Sequence, residues 1–499
     1  MHPLLQQLFR TKSIDSLVRE SEASTRLRRT LGPFDLITLG VGVILGTGIF
    51  VVTGRAAAQS AGPAVILSFA IAGVAASMAA LCYAEMASML PISGSAYTYA
   101  YATMGEWVAF MIGWTLILEW VVSAALVAAG WSAYFTALLR STLGIDIPAA
   151  WSSAPLHFDA AYGGFVRTGA VMNLPAVLFV GLITCILIPG MQQSTRFNRA
   201  VVGIKFCTIL LFLGCAVKHM RWANLLPFIP PNTGTFGKFG LSGVFQGATL
   251  VYLSFIGFDA VTTTAQEAKN PQRDIPLGTL SSVGICTLFY ILVAFVLTGV
   301  VPYQQLGVAD SLAVGVRVTG IPWLEGVISL GAVIGLSSCL LGALVAQPRI
   351  FLAMSQDGLL PPILGRIHPR FGTPHVGTLL TGGLCAILSS LFPIDVLGEI
   401  ASAGTLAIFF LVSVCVMILR IRQPAQPRRF RIPGGAFGIP LLSALICALL
   451  MGTATGPTLM RLGAWLLVGC VVYATYSQRH SHLQRQQPTL MRDSLPQPN

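Results

Sequence analysis

Long apolar stretches separated by short polar turns run through almost the whole chain. A helix that crosses a bilayer needs about 20 mainly apolar residues. Twelve stretches answer to that need: residues 34–59, 63–90, 105–139, 170–190, 198–218, 240–266, 277–302, 322–350, 375–392, 396–420, 438–455 and 459–477. A spanning segment in lipid must satisfy its own backbone, which leaves helices or closed barrels, and runs of this length predict helices. The pattern predicts an all-α polytopic membrane protein with twelve transmembrane helices.

Two spans are interrupted where the middle of the bilayer should be. The first, FDLITLGVGVILGTGIFVVTGR, carries Gly40, Gly42, Gly46 and Gly48, and each glycine costs a helix about 0.5–1 kcal/mol relative to alanine. Gly42 and Gly46 also satisfy the GxxxG spacing of close helix packing, but polar Thr47 lies between the two glycines best suited to an unwound backbone. The sixth, within residues 247–276, reaches Gly257 and then Asp259 at similar depth. One reading is a packing glycine beside a capping aspartate. The other is a helix unwound at the midplane that shows its backbone polar groups to a substrate.

Composition agrees with a membrane protein. Hydrophobic residues make up 55% and charged residues 10%, against about 25% charged in soluble domains. The net charge of +12 does not point to nucleic acid, because the basic residues follow topology: Arg10, Lys12, Arg19, Arg26, Arg28 and Arg29 precede the first span, and Arg420, Arg422, Arg428, Arg429 and Arg431 follow the tenth. The bias places both termini in the cytoplasm and the chain in the inner (plasma) membrane. The first 30 residues are too polar for a signal peptide. All ten cysteines fall within predicted spans without a CxxC pair, and all seven histidines lie in loops or termini, so neither a metal site nor a cofactor is expected.

The spans divide into two similar halves. A cytoplasmic arm, 1–33, with an amphipathic helix expected against the headgroups, leads into five spans over 34–218. An external connection, 219–239, joins them to five more over 240–420, and each half opens on an interrupted helix. An odd number of spans per repeat forces opposite orientations, the inverted-repeat architecture of many secondary transporters. Residues 421–477 hold a basic loop and the last two spans, and 478–499 form a polar tail expected to be disordered.

Three further ionisable residues lie in spans. Glu85 is near a span end and is expected to snorkel to the surface. Glu119, between Trp114 and Trp120, is too deep for easy solvation, where a charge costs about 2.5–3.5 kcal/mol on insertion scales, so it is either protonated or paired in a polar cavity. Lys205 has apolar neighbours on both sides. Desolvation there disfavours the ammonium, which suits a proton carrier, although an amine permanently paired to a carbonyl or carboxylate fits as well. At the two interruptions, amides near Thr47, Gly48 and Ile49 would face an anion, and carbonyls near Ile44, Leu253 and Ser254 a cation. A zwitterion with carboxylate and ammonium on one carbon matches both ends, whereas a small anion uses only half.

Five segments carry a resemblance: GVGVILGTGIF at 40–50, LILEW at 116–120, the fifth span with Asn198 and Lys205, SFIGFDAVTTTAQEAKNPQRDIPLG at 254–278, and RIFLAMSQDGLLP at 349–361. Together they resemble the cationic amino acid transporter family of the amino acid, polyamine and organocation (APC) superfamily, from about Thr11 to Tyr476. The resemblance implies a LeuT-like 5+5 inverted-repeat fold. It implies that Gly46, Thr47 and Gly48 hold the substrate carboxylate, and that Ile44, Leu253 and Ile256 surround the amine and the gate, where the position of Leu253 is often aromatic in relatives. It implies that Glu119 and Asp259 are the acids beside the pocket, and that Lys205 stands where sodium-dependent members bind sodium, with protons in its place. The expected function is proton-coupled, alternating-access transport of cationic or small neutral amino acids across the bilayer. An exchanger of the same fold and a non-transporting amino acid sensor are the alternatives. An intramembrane hydrolase is disfavoured, since there is no intramembrane histidine, no GxSxG elbow and no phosphate-loop lysine.

Overall fold

The computed structural model describes residues 10–12, 31–90, 95–159, 164–189, 195–264, 267–435 and 437–485. Helices dominate: α1 (Pro33–Ile44), α2 (Val65–Met89), α3 (Glu106–Leu143), α4 (Leu174–Leu187), α5 (Thr195–Ala216), α6 (Gly240–Tyr252), α7 (Phe258–Thr263), α8 (Pro271–Val300), α9 (Pro322–Gln356), α10 (His375–Leu391), α11 (Ile394–Arg422), α12 (Ile439–Gly452) and α13 (Gly456–Val472). Among the described residues, eight helical runs are long and apolar enough to cross a membrane, with three shorter apolar helices beside them. The first run, Pro33–Met89, has 57 residues. At 1.5 Å per residue that is roughly 85 Å, nearly three bilayer cores, so it must cross, turn and return. The turn falls at Gly62, whose φ of +62° favours glycine, followed by Pro63.

The outward faces of these helices are apolar and uncovered, as at Leu178, Leu182, Leu467 and Val471. Such faces suit lipid, which provides no hydrophobic drive to bury them. Inside, α3 and α9 pack together more extensively than any other pair of described elements, with Trp131 Nε1 donating to Ser337 Oγ at 3.0 Å. The α3–α4 connection contains an antiparallel hairpin of β1 (Leu156–Asp159) and β2 (Gly164–Arg167). Arg461 at the start of α13 lies 4.5 Å from the Phe158 ring, which ties this hairpin to the last helix.

Glu85 does not snorkel. It is fully buried and pairs with Arg420 at the end of α11, whose Nε donates to Oε1 at 2.8 Å and whose Nη2 reaches Oε2. The backbone N–H of Ile432 also donates to Oε2, at 2.9 Å. A buried carboxylate needs such partners, and the basic loop after α11 supplies them. Its role is to fasten that loop to α2.

The beginning of the polar tail is docked as well. Ser477 donates to the Leu359 carbonyl at 2.7 Å, Ser481 to the buried Glu106 carboxylate, and the His482 N–H to the Asp357 carbonyl at 3.1 Å. Hydroxyls at helical spacing find acceptors at the α3 and α9 ends, so the expectation of disorder fails for 478–485; residues 486–499 lie outside the described residues. So does the amphipathic helix expected in the arm, of which only 10–12 and 31–33 are described. Lys12 forms an ion pair with Asp357 at 2.7 Å.

Candidate functional site: two facing helix breaks

Helix α1 stops at Ile44. Leu45 has left the helical region with ψ at 85°, Gly46 bends, and helical turns resume at Thr47, with π-helical bonding over Gly48–Val52. The interruption is thus centred one or two residues before Thr47. Helix α6 passes through a 3-10 turn, Leu253–Phe255, and ends at Ile256 with ψ at 133°. Gly257 follows at φ +113° and opens α7, a conformation that costs a residue with a Cβ.

The breaks pack directly on each other. A Cβ on Gly257 would lie 2.4 Å from Val43 Cγ1, and one on Gly48 would lie 2.3 Å from Ser254 Cβ. Between them is a cavity of about 40 Å³ lined by Val43, Ile44, Gly46, Thr47, Leu253, Ser254 and Ile256 of the broken spans. Trp120, Ser123 and Val127 of α3 and Cys339 and Ala343 of α9 complete the wall. One water needs about 10–15 Å³ on the same measure, so the space suits a small solute.

The sequence-predicted residues are only partly brought together. Ile44, Gly46, Thr47, Leu253, Ser254 and Ile256 line the cavity, while Gly48 and Ile49 lie just behind it in the resumed helix. The first amides of a helix have no intrahelical partner, and those of Thr47, Gly48 and Ile49 occupy that place. The carbonyls are less free than expected. Ile44 and Ser254 both accept from Tyr290 Oη of α8, each at 2.7 Å, and Leu253 accepts from the Ile256 N–H at 3.1 Å. One phenol hydrogen is shared between two carbonyls that have two lone pairs each, which leaves capacity for an ammonium. Tyr290 was not picked out in the sequence, where its signal is a buried tyrosine whose hydroxyl needs a partner.

The acids stand apart from the cavity wall. Glu119 Oε1 accepts from Thr405 Oγ1 of α11 at 2.7 Å, and its Oε2 has no hydrogen-bond partner among the described residues. Asp259 is in the first turn of α7, buried, with Oδ1 likewise unpartnered. Lys205, wholly buried on α5, donates to the Gly42 carbonyl at 2.6 Å and lies 3.2 Å from Cys339 Sγ. Among the described residues no carboxylate pairs with it. Its ammonium therefore clasps α1 just before the break and touches α9 where Cys339 meets the cavity.

Three more groups of contacts surround the breaks. Beyond the first, Arg55 Nη2 meets Asp395 Oδ2 of α11 at 2.8 Å, and Gln59 Nε2 donates to Asp395 Oδ1 at 3.1 Å. On the other side, the Leu31 N–H donates to the Glu267 carbonyl at 3.0 Å and the Lys269 N–H to the Leu31 carbonyl at 2.9 Å. The start of α1 is thereby fastened to the segment that follows α7. Arg199 of α5 pairs with Asp35 of α1.

A polytopic helical protein with paired mid-helix breaks around a small cavity belongs to the transporter class, and comparison with known proteins specifies the family. The amino acid permease family pattern matches residues 31–474. The chain is 42% identical to a methylthioribose transporter of Bacillus subtilis (strain 168), covering 96% of this chain and 100% of that protein. It is 43% identical to a branched-chain amino acid permease of the same organism, over 96% and 99%. It is 35% identical to a vacuolar cationic amino acid transporter of Arabidopsis thaliana, over 84% and 68%. The chain belongs to the amino acid permease family, within the APC superfamily. Its relatives are permeases rather than enzymes.

Proposed function

We propose that the protein is a proton-coupled symporter of neutral amino acids that works by alternating access. The observation that carries this reading is the pair of facing breaks at Leu45–Gly46 and Ile256–Gly257 with a cavity between them. Helix-start amides on one side suit a carboxylate, and the Ile44 and Ser254 carbonyls under Tyr290 suit an ammonium. The side chain then meets Val43, Trp120, Val127, Ile256, Cys339 and Ala343. Among the described residues no carboxylate lines that wall, and the 43% identical relative is a branched-chain amino acid permease; both favour neutral over cationic substrates.

The architecture we propose is the LeuT-like 5+5 inverted repeat. Folding the first of the eight runs into two crossings and adding the three shorter helices makes twelve spans, with ten in two halves (34–218 and 240–420) and two outside. Both termini face the cytoplasm of a cell whose inner membrane holds the chain, in keeping with the arginine bias. The inner half-helices α1 and α7, joined at Leu31 and Ala268, swing together. Lys205 times that motion: as an ammonium it holds Gly42, and on losing its proton to the cytoplasm it holds less tightly and lets α1 move.

A thermal-shift screen of the purified protein against the twenty amino acids, at two pH values, tests the substrate class. A ligand at a hundred times its Kd stabilises by about 2.7 kcal/mol. Valine, leucine, isoleucine and alanine are expected to raise the melting temperature and arginine and lysine to leave it unchanged. A shift with methylthioribose and with none of the amino acids would end the amino acid reading.

Arg55, Gln59 and Asp395 form the external lid in this scheme. Asp395→Asn removes the ion pair, which at a partly exposed site is worth about 1 kcal/mol. The expected result is a several-fold faster release of bound substrate to the outside, read by dilution of preloaded proteoliposomes. Unchanged efflux would assign the pair to stability alone.

A further inference from the structure

Gln347 of α9 is wholly buried, and neither Oε1 nor Nε2 has a hydrogen-bond partner among the described residues. A side-chain amide has two donor hydrogens and two acceptor lone pairs, and burying it with none satisfied is costly. Its position explains what could satisfy it. Ala343, four residues earlier, lines the cavity, and helical geometry puts the two on one face. Gln347 therefore lies one turn, about 5.4 Å, beyond the wall on the cytoplasmic side. The register of α9 against α3, set by Met354 against Gly113 and Ser337 against Trp131, places Gln347 opposite Trp120, which is itself in the wall.

The backbone groups that receive the zwitterion are near the other end of the cavity, at the level of Cys339, whose Sγ approaches the Leu45 carbonyl. A guest held there points its side chain towards Trp120, Ala343 and Gln347. Resting on the amino acid reading above, we propose that Gln347 is a specificity-determining residue. Its amide receives the tip of a neutral side chain that both donates and accepts hydrogen bonds, with a carboxamide as the best match, once Trp120 moves aside. An uncharged amide can accept from a guanidinium or ammonium but supplies no counter-charge for it, so the site extends the range to polar neutral substrates in preference to cationic ones.

Gln347→Leu keeps the size of the side chain and removes its polar atoms. Replacing an unpartnered buried amide by an apolar isostere is neutral or stabilising, so the variant should melt no lower than wild type in detergent. Kd values for glutamine, asparagine, leucine and valine are then measured by thermal-shift titration. Wild type is expected to bind glutamine, and Gln347→Leu to lose about tenfold or more for glutamine and asparagine while keeping leucine and valine within twofold. Gln347→Asn, which withdraws the amide by one methylene, should favour glutamine over asparagine relative to wild type, and serves if the leucine variant does not fold. The proposal is overturned if wild type binds leucine but neither carboxamide, or if the variants change all four ligands together or none. Should wild type bind none of the four, the neutral amino acid reading fails first and takes this one with it.

Discussion

Lys205→Ala is expected to abolish accumulation driven by a proton gradient. The wild-type ammonium donates to the Gly42 carbonyl at 2.6 Å from a fully buried position, and a hydrogen bond to a charged group contributes about 1.5–3 kcal/mol. Without that contact α1 is no longer held in a proton-dependent way, and alanine has no proton to release. Reconstituted protein should show pH-driven uptake at background, while counterflow at equal pH, which needs no net proton movement, persists at a reduced rate. Two results would change the assignment. Undiminished accumulation under the gradient would remove Lys205 from the coupling step. Counterflow by wild type without any accumulation under a pH gradient would make the protein an exchanger.

Gly257→Ala should have an effect at least as large, through a different link. The backbone there has φ +113°, and a non-glycine residue held in a sparsely populated region costs about 1–3 kcal/mol. The new Cβ would also meet Val43 Cγ1 at 2.4 Å and the Val43 backbone carbon at 3.4 Å. Val43 is in the cavity wall, so relief of the clash pushes the two breaks apart. Substrate uptake is expected to fall about a hundredfold or more, with a lower melting temperature. Gly48→Ala, facing Ser254 Cβ at 2.3 Å, should behave alike. Gly284→Ala is the control: it is in α8 with nothing within 4 Å of the added methyl, and alanine is the better helix former by about 1 kcal/mol. Normal uptake by Gly257→Ala at normal expression would show that the interruption has no part in transport.

Several details were legible in the residues and several were not. Gly46 and Gly257 marked where the helices lose their coil, because glycine is where a backbone leaves the helical region at least cost. Glu119 and Asp259 were legible only as deep carboxylates; that Glu119 turns to Thr405 rather than to the cavity depends on α11, 286 residues away in sequence. Glu85 reads as a residue near a span end, yet the chain folds the loop after α11 over it, and Arg420 with the Ile432 amide replaces water. Tyr290 gives no local sign of sitting between Ile44 and Ser254. The ion pair of Arg55 and Asp395 likewise joins residues separated by 340 positions.

Hydropathy, arginine bias and glycine clustering are properties of short windows, and the bilayer acts on each window separately. For that reason the membrane-spanning character of the chain and the places where two helices break follow from the sequence by itself. Which carbonyls a phenol occupies, which side chains line the cavity, and which amide one turn below Ala343 has no partner among the described residues depend on helices distant in sequence meeting at a particular rotation and register. Only the tertiary structure decides those, because a hydrogen bond is made or lost over a few tenths of an ångström, far finer than any periodicity of apolar residues can specify.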